Sequence, residues 1–448
     1  MNAAVETNVD KYLLGTVLML ATVLGGGTAA GLWTDTILQL IAVAVATYVI
    51  VRNIEQPIDR RVFWLAIWML LAVLIQLLPI SSGLIRSTQG ILPPFDSGVL
   101  FMLEPATISL GPGRTFEVAA YFLTNILFLM AVMKLRFDSA VGLIPFFIAG
   151  VICNMTAGLV QYSFTGEAEI QGVLPYDLSA GFFANVNHFS SLVFISIPLA
   201  FAYFIEIRRF YLLAVYVACA LLVLLAAGSM MGVLVGLAIS FLSVIVLTQR
   251  NRNGIILVLA CSVLIGIYSV GLWARIQVET RNIDFSRLEF ARSTFEGIVD
   301  NLPFGIGYGN FPVGYPSYEK SSTILQNYIN HAHNEYLELI FEGGLLAVAA
   351  LAAFIALLGI RISETLNWPL HKAVSLAILF VLVHSVVDYP LRTLAVAFPF
   401  SVCIGLLFHS GPEKVDEALH PANMHTEDLG VEDAVIIDHQ PQRTNVTA

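Results

Sequence analysis

Apolar residues run along this chain in long blocks separated by short polar gaps. The blocks fall near 12–33, 35–51, 62–80, 118–133, 139–160, 189–206, 210–227, 231–248, 255–273, 338–360, 373–389 and 393–409. Most are about 17–22 residues long, the helical length that crosses a hydrocarbon core about 30 Å thick. Within that core a backbone must satisfy its own hydrogen bonds, and a helix does so within one segment. The pattern predicts an all-α fold: a polytopic transmembrane bundle of about twelve spans, with a large helical loop before the tenth.

The gaps alternate in basic content. One set holds Arg52, Arg60 and Arg61; Lys134 and Arg136; Arg208 and Arg209; Arg250 and Arg252; and Arg361 and Lys372. By the positive-inside rule these gaps are cytoplasmic, so both termini are expected in the cytoplasm. The other set contains the long connections 81–117, 161–188 and 274–337, which are expected on the outer side of the membrane. The leader "MNAAVETNVDK" has one Lys against Glu6 and Asp10, so the first span is read as retained and not as a cleaved signal.

Composition agrees. The 448 residues are 57% hydrophobic and 12% charged, about half the charge of a soluble domain. The net charge is −10, and the tail beyond Gly411 carries eight acids against Lys414 and Arg443. That splits the chain into a transmembrane domain, 1–409, and an acidic cytoplasmic tail, 410–448, whose composition predicts disorder. There is no basic patch for nucleic acid. Cys153, Cys219, Cys261 and Cys403 each lie in an apolar block, match no metal spacing and read as small buried hydrophobes.

The connection 274–337 has helical grammar. Ser286 and Glu289 have capping-box spacing, Leu288, Phe295, Ile298 and Val299 fit one apolar face, and Pro303 should stop the helix. Such a helix suits the membrane surface. The following "FGIGYGNFPVGYP" is glycine-rich but not GxGxxG, since Asn310 takes the sixth place, so a flexible loop is favoured over a phosphate cradle.

Ionisable groups in apolar blocks are costly and usually functional. Here they gather at the expected outer mouths. Glu335, Glu338 and Glu342 have i, i+3, i+7 spacing, one stripe on a helix. His384, Asp388 and Arg392 follow at i+4 steps in "VHSVVDYPLRTLAV", where Pro390 interrupts any continuous helix. Asn185, Asn187 and His188 open the sixth block in "GFFANVNHFSS". A transporter places its polar site near mid-depth on paired repeats. A site at one interface instead suits an enzyme whose substrate has a lipid tail and a polar head. His333, in "NHAHNEYLELIFEGG", is the candidate base: an imidazole exchanges protons near neutrality, Asn334 beside it can fix the ring, and it can orient or deprotonate a sugar hydroxyl. His331 and His333 form HxH, which alone is too common to signal a metal, so no metal and no cofactor are expected.

These residues also carry a resemblance. "HAHNEYLELIFEGGLLA" resembles the signature of the bacterial O-antigen ligase and O-antigen polymerase superfamily: a His-Asn pair, nine residues, Gly, two residues, then Gly, Thr or Tyr. His333 and Asn334 lead to Gly344, with Ala347 in the last place. "SRLEFARSTFEGIVDNLPFGIGYGNF" is similar to the family's loop, matching at Arg287, Pro303, Gly305, Gly307, Gly309, Asn310 and Phe311. "FFANVNHFSS" resembles its Asn-x-Asn-His-Phe span start, and "HSVVDYPLRT" looks like a motif of one subgroup. The likeness covers about residues 100–409.

The resemblance implies an inverting, metal-independent membrane glycosyltransferase. Its donor is a glycan on a polyprenyl (undecaprenyl) pyrophosphate at the periplasmic face; its acceptor is a sugar hydroxyl of lipid A core or of a growing glycan. Membrane lipid and polysaccharide assembly proteins are further partners. His333 would assist the acceptor, and arginines would bind the pyrophosphate, Arg287 by position. The family's Ser-Arg-Gly turn between the seventh and eighth spans reads "GSMMG" here, with Met230 in place of the arginine. Arg392 is the candidate substitute and Arg114 the next. Asn334, Glu342, His384, Asp388, Asn187 and His188 are the supporting polar residues. An exporter of lipid-linked saccharide and a non-catalytic assembly subunit are the alternatives.

Overall fold

The structure is a computed structural model that describes residues 3–79, 107–163, 174–248, 283–319 and 330–409, with Gly172, Ile256, Val263 and Gly266 between them. The expected tail, 410–448, lies outside the described residues, as does nearly all of the expected span 255–273. Among the described residues every regular element is a helix, and β-pairing is limited to two isolated bridges, Pro79 with Thr107 and Ala180 with Phe183. The main helices are α1 (Ala3–Leu24), α2 (Trp33–Arg52), α3 (Arg60–Leu74), α4 (Pro112–Lys134), α5 (Ile144–Ser163), α6 (Val186–Glu206), α7 (Phe210–Ala226), α8 (Met230–Leu247), α9 (Ile283–Asn301), α10 (Glu335–Thr365), α11 (Pro369–His384) and α12 (Leu394–Phe408).

Among the described residues six stretches are long and apolar enough to cross a membrane: Trp33–Arg52, Arg60–Leu77, Pro112–Lys134, Phe137–Tyr162, Val186–Glu206 and Glu335–Thr365. Four shorter apolar helices accompany them, α7, α11, α12 and Met231–Leu247. This is a membrane protein. Helix α6 lies at the centre, buried on all sides from His188 to Phe201, and packs against α5, α7, α8 and α11. Its hydroxyls are satisfied within the helix or nearby: Ser190 Oγ donates to Val186 O and Ser196 Oγ to Val193 O. Across the core, Phe128 of α4 stacks on Phe398 of α12 at 4.2 Å between ring centres.

Several expectations need correction. The first helix does not run to residue 33. It stops at Leu24 because Gly25 and Gly26 turn their carbonyls outward, accepting from Ala395 N at 3.1 Å and Ala184 N at 3.1 Å. Helix α9 begins at Ile283, so Ser286 lies inside it and is no N-cap; it ends at Asn301, just before Pro303. Its apolar positions divide. Phe290 and Ile298 are buried, while Leu288, Phe295 and Val299 are exposed. His384, Asp388 and Arg392 do not stack on one helix, since α11 ends at His384 and Pro390–Arg392 is a single 3-10 turn. Of the cysteines, Cys403 is buried but Cys153 is exposed on the outside of α5, where lipid solvates a thiol as readily as a core does.

Helix α10 shows where the protein covers its polar face. Glu338, Phe341, Glu342, Gly343, Gly344 and Ala347 are buried, whereas most of the helix beyond Ala347 faces outward. The helix breaks at Gly344, whose φ of 59° and ψ of −145° lie outside helical space. The glycine-rich loop docks into that break. Leu345 N donates to Pro303 O at 2.8 Å, Ile306 N to Phe341 O at 3.1 Å and Gly307 N to Glu342 O at 2.9 Å. A Cβ on Gly344 would strike Pro303 O, and one on Gly305 would strike Glu342 O. The loop is thus neither a phosphate cradle nor a free linker: its glycines let two backbones touch. Gln76, at the end of α3, fastens the junction, donating to Glu342 O at 2.9 Å and accepting from Tyr308 N at 3.0 Å.

Gly344→Ala should therefore lower the thermal stability of the purified protein by about 2–4 kcal/mol, because this region of φ and ψ is open almost only to glycine and the clash is with backbone. Ala347→Gly, one turn further along the same helix, should cost only about 1 kcal/mol. Equal melting temperatures for Gly344→Ala and wild type would show that the loop does not depend on this contact.

Candidate active site

The stripe Glu335, Glu338, Glu342 converges on one cation. Arg392 Nη1 lies 3.2 Å from Glu338 Oε1, Nη2 lies 3.1 Å from Glu342 Oε2, and Nε lies 4.0 Å from Glu335 Oε1. The remaining carboxylate lone pairs are also used. Glu342 accepts from Phe311 N at 3.0 Å. Glu338 accepts from Ala332 N at 2.8 Å. Glu335 accepts from Ser385 Oγ at 3.2 Å and Leu391 N at 3.3 Å. Burial pulls the Arg392 pKa down, but Glu338, Glu342 and Glu335 together hold it far above its ordinary value.

The HxH turn is built on this cluster. His331 Nδ1 is 2.7 Å from Glu338 Oε1. Asn334 caps α10, its Oδ1 accepting from Leu337 N at 3.0 Å. Between them His333 adopts φ of 50°, a left-handed conformation uncommon for a residue with a side chain. Its ring meets a different carboxylate from that of His331. His333 Nδ1 is 3.7 Å from Asp388 Oδ1, within ion-pair range but beyond a hydrogen bond. His188 Nε2 lies 3.6 Å from the same oxygen. Tyr389 fills the space among the imidazoles, with ring centres 4.0 Å from His331, 4.7 Å from His188 and 5.3 Å from His333.

Asp388 is the hub of the second cluster. It accepts from Asn187 Nδ2 and from Tyr389 N. Burial raises its pKa, yet His188 and His333 more than reverse this and hold it well below the ordinary carboxylate range. Asn187 Oδ1 accepts from Ser229 Oγ at 3.0 Å, and Ser229 in turn caps α8 by accepting from Gly232 N at 2.9 Å.

A cavity of about 840 Å³ opens beside the turn. Arg114, His331, Glu338, Glu342 and Arg392 line one part, and Leu129, Leu357, Ile404 and Phe408 line another. His331 lines it; His333, 31% exposed, does not. Its wall on α10 runs from Glu335 to Leu357, roughly 33 Å at the helical rise.

The O-antigen ligase family model matches residues 212–352. Over that stretch the chain is similar to the O-antigen ligase family. A search of curated proteins finds no match. The O-antigen ligase match contains Ser229, Asn310, the HxH turn and all three glutamates of α10. Their partners lie outside it: Asn187 and His188 come from α6, Asp388 and Arg392 from the turn between α11 and α12.

The structure thus brings together His333, Asp388, His188 and Asn187, and separately Glu342 and Arg392. His384 turns away, its Nδ1 2.7 Å from Ser191 Oγ. Arg114 stands exposed in the first turn of α4. Arg287 lies in the first turns of α9 and Met230 opens α8; the side chains of both lie outside the described residues. Tyr389 and the His331–Glu338 pair were not anticipated as site groups. Tyr389 had one signal, an aromatic beside Asp388 and Pro390. Among the described residues no group of three His, Cys, Asp or Glu side chains has metal-binding geometry.

Arg392→Ala should destabilise the protein by about 3–5 kcal/mol, because it leaves three carboxylates without their cation, and Arg392→Lys should not restore it, since one ammonium cannot reproduce the fork. Unchanged melting of Arg392→Ala would mean that the cluster is not held this way. Asp388→Asn should cost about 3 kcal/mol at pH 7. The Asp388 pKa is depressed in the folded state, so its stabilisation is complete above the unfolded value near 4 and is lost as pH falls toward the depressed one. The gap between wild type and Asp388→Asn should therefore shrink as pH falls below about 4.

Proposed function

We propose that the protein transfers a glycan from a polyprenyl pyrophosphate to a sugar hydroxyl, as a ligase or a repeat-unit polymerase. The observation that carries this reading is the dual lining of one cavity: titratable groups at one part and apolar side chains at another. A substrate with a hydrocarbon tail and a sugar head matches both. The O-antigen ligase match supports glycan transfer in general. The chain is read as about twelve spans with both termini cytoplasmic, and with 81–117, 161–188 and 274–337 facing the periplasm, so chemistry occurs at that face.

In this reading the acceptor hydroxyl attacks the anomeric carbon, the carbon–oxygen bond to pyrophosphate breaks with inversion, and no metal takes part. His333 assists the hydroxyl as base, with Asp388 stabilising the imidazolium that forms. Leaving-group charge on the pyrophosphate needs guanidinium groups aimed at it. Arg287 and Arg114 are assigned that task. Arg392, already matched by three carboxylates, is assigned to hold α10 and the HxH turn in place. Met230 favours one other reading, a non-catalytic assembly subunit, because the family's arginine is absent there.

Purified protein given a synthetic polyprenyl-pyrophosphate glycan and acceptor should form product, and His333→Ala should lower the rate about 10²-fold or more. Arg287→Ala should raise the donor KM about tenfold. Equal rates for wild type and His333→Ala remove His333 from the chemistry; no product from wild type with any acceptor supports the non-catalytic reading.

A further inference from the structure

One set of groups on the cavity wall has no part in the reading above. Asp35 of α2 and Asn125 of α4 both line the cavity, and each has a buried side-chain oxygen, Oδ1 in both cases, with no hydrogen-bond donor among the described residues. The orientation of Asn125 is fixed by its own amide nitrogen, which donates to Tyr121 O at 2.9 Å; the flipped amide would set oxygen against oxygen.

Buried acceptors without donors destabilise a fold, and they persist where a ligand supplies the donors. The charges on the lining indicate which ligand. Asp35, Glu117, Glu335, Glu338 and Glu342 face it, against Arg114 and Arg392, and Arg392 already bridges three of those acids. A doubly charged phosphate group entering this space would meet an excess of like charge. A sugar would bring several hydroxyl donors and no charge.

We propose that the interior of the cavity is a hydroxyl-binding subsite, which takes the sugar head of a lipid-anchored acceptor and leaves the donor pyrophosphate at the rim beside Arg114. Asp35 and Asn125 each accept from a hydroxyl of that sugar, and the apolar part of the lining takes its tail. The word acceptor rests on the transfer reading; the preference for a neutral polyhydroxylated head over an anionic one does not.

The test uses full-length protein in lipid nanodiscs and two photoreactive probes of equal alkyl length, one ending in glucose and one in phosphate. The glucoside should label peptides of α2, α4 and α10 about tenfold more than the phosphate, and Asp35→Leu and Asn125→Leu should each reduce that labelling about tenfold. Because Asp35 Oδ1 has no partner among the described residues, Asp35→Leu should melt at or above the wild-type temperature. Equal labelling by both probes, labelling unaffected by either substitution, or reduced labelling accompanied by a lower melting temperature in both variants would overturn the proposal. Glucoside labelling that behaves as expected in a protein without transfer activity would retain the subsite while removing the transfer reading.

Discussion

Three glutamates on one face of a helix that continues into apolar surroundings need a cation, and Arg392 is placed among them. The rest of the site hangs on that pairing. Arg392 follows α11, so meeting Glu338 and Glu342 fixes the turn before α12 against the start of α10. Glu338, held there, accepts from His331 and from Ala332 N and so shapes the HxH turn. Glu335 N donates back to Ser385 O at 2.9 Å and Asp388 O at 3.2 Å, closing the ring between the two segments. Buried ion pairs add little net stability over well-packed apolar residues, but losing one partner is costly. What this cluster supplies is position. It sets the His331 and His333 imidazoles against the Tyr389 ring.

A second constraint is steric. The glycine-rich loop and the broken part of α10 touch backbone to backbone, which aligns Glu342 so that its carboxylate reaches both Phe311 N and Arg392 while its carbonyl accepts from Gly307 N and Gln76. One residue thus joins the outer loop, α3 and the charge cluster. This also explains why the polar run at the head of α10 gives way so abruptly to an apolar one. The first turns are enclosed by loop and neighbouring helices, whereas the remainder faces lipid and carries no charge until Arg361.

Much of this was legible in the chain. Blocks of membrane-spanning length show the all-helical character, because hydrocarbon permits few alternatives for a backbone. The spacing of Glu335, Glu338 and Glu342 shows the shared face, because helical geometry depends only on position. What the spacing could not give was the partner. Read at i+4 steps, Arg392 looks like a neighbour of Asp388, but Pro390 ends that periodicity and frees the guanidinium to reach a different helix. The glycines were underread for a similar reason. Their role depends on a break at Gly344, and a break in one segment is invisible from the composition of another. Tyr389 and Gln76 are single residues whose function comes wholly from what surrounds them.

The position of Met230 gains meaning from its neighbour. Ser229, the residue before it, caps α8 and hydrogen-bonds Asn187, which holds Asp388. The backbone at Met230 is therefore tied to the histidine cluster. Arg392 would bind a phosphate only at a cost, since every bond it made to one would be taken from a buried carboxylate. If transfer occurs here, the charge released on the pyrophosphate has to be met by arginines nearer to water, where a unit charge is worth several-fold less than in a closed site. Such an enzyme would depend more on holding its two substrates in register than on stabilising the leaving group. The arrangement around Tyr389, with His331 on the cavity and His333 facing Asp388, is the kind of scaffold that register requires.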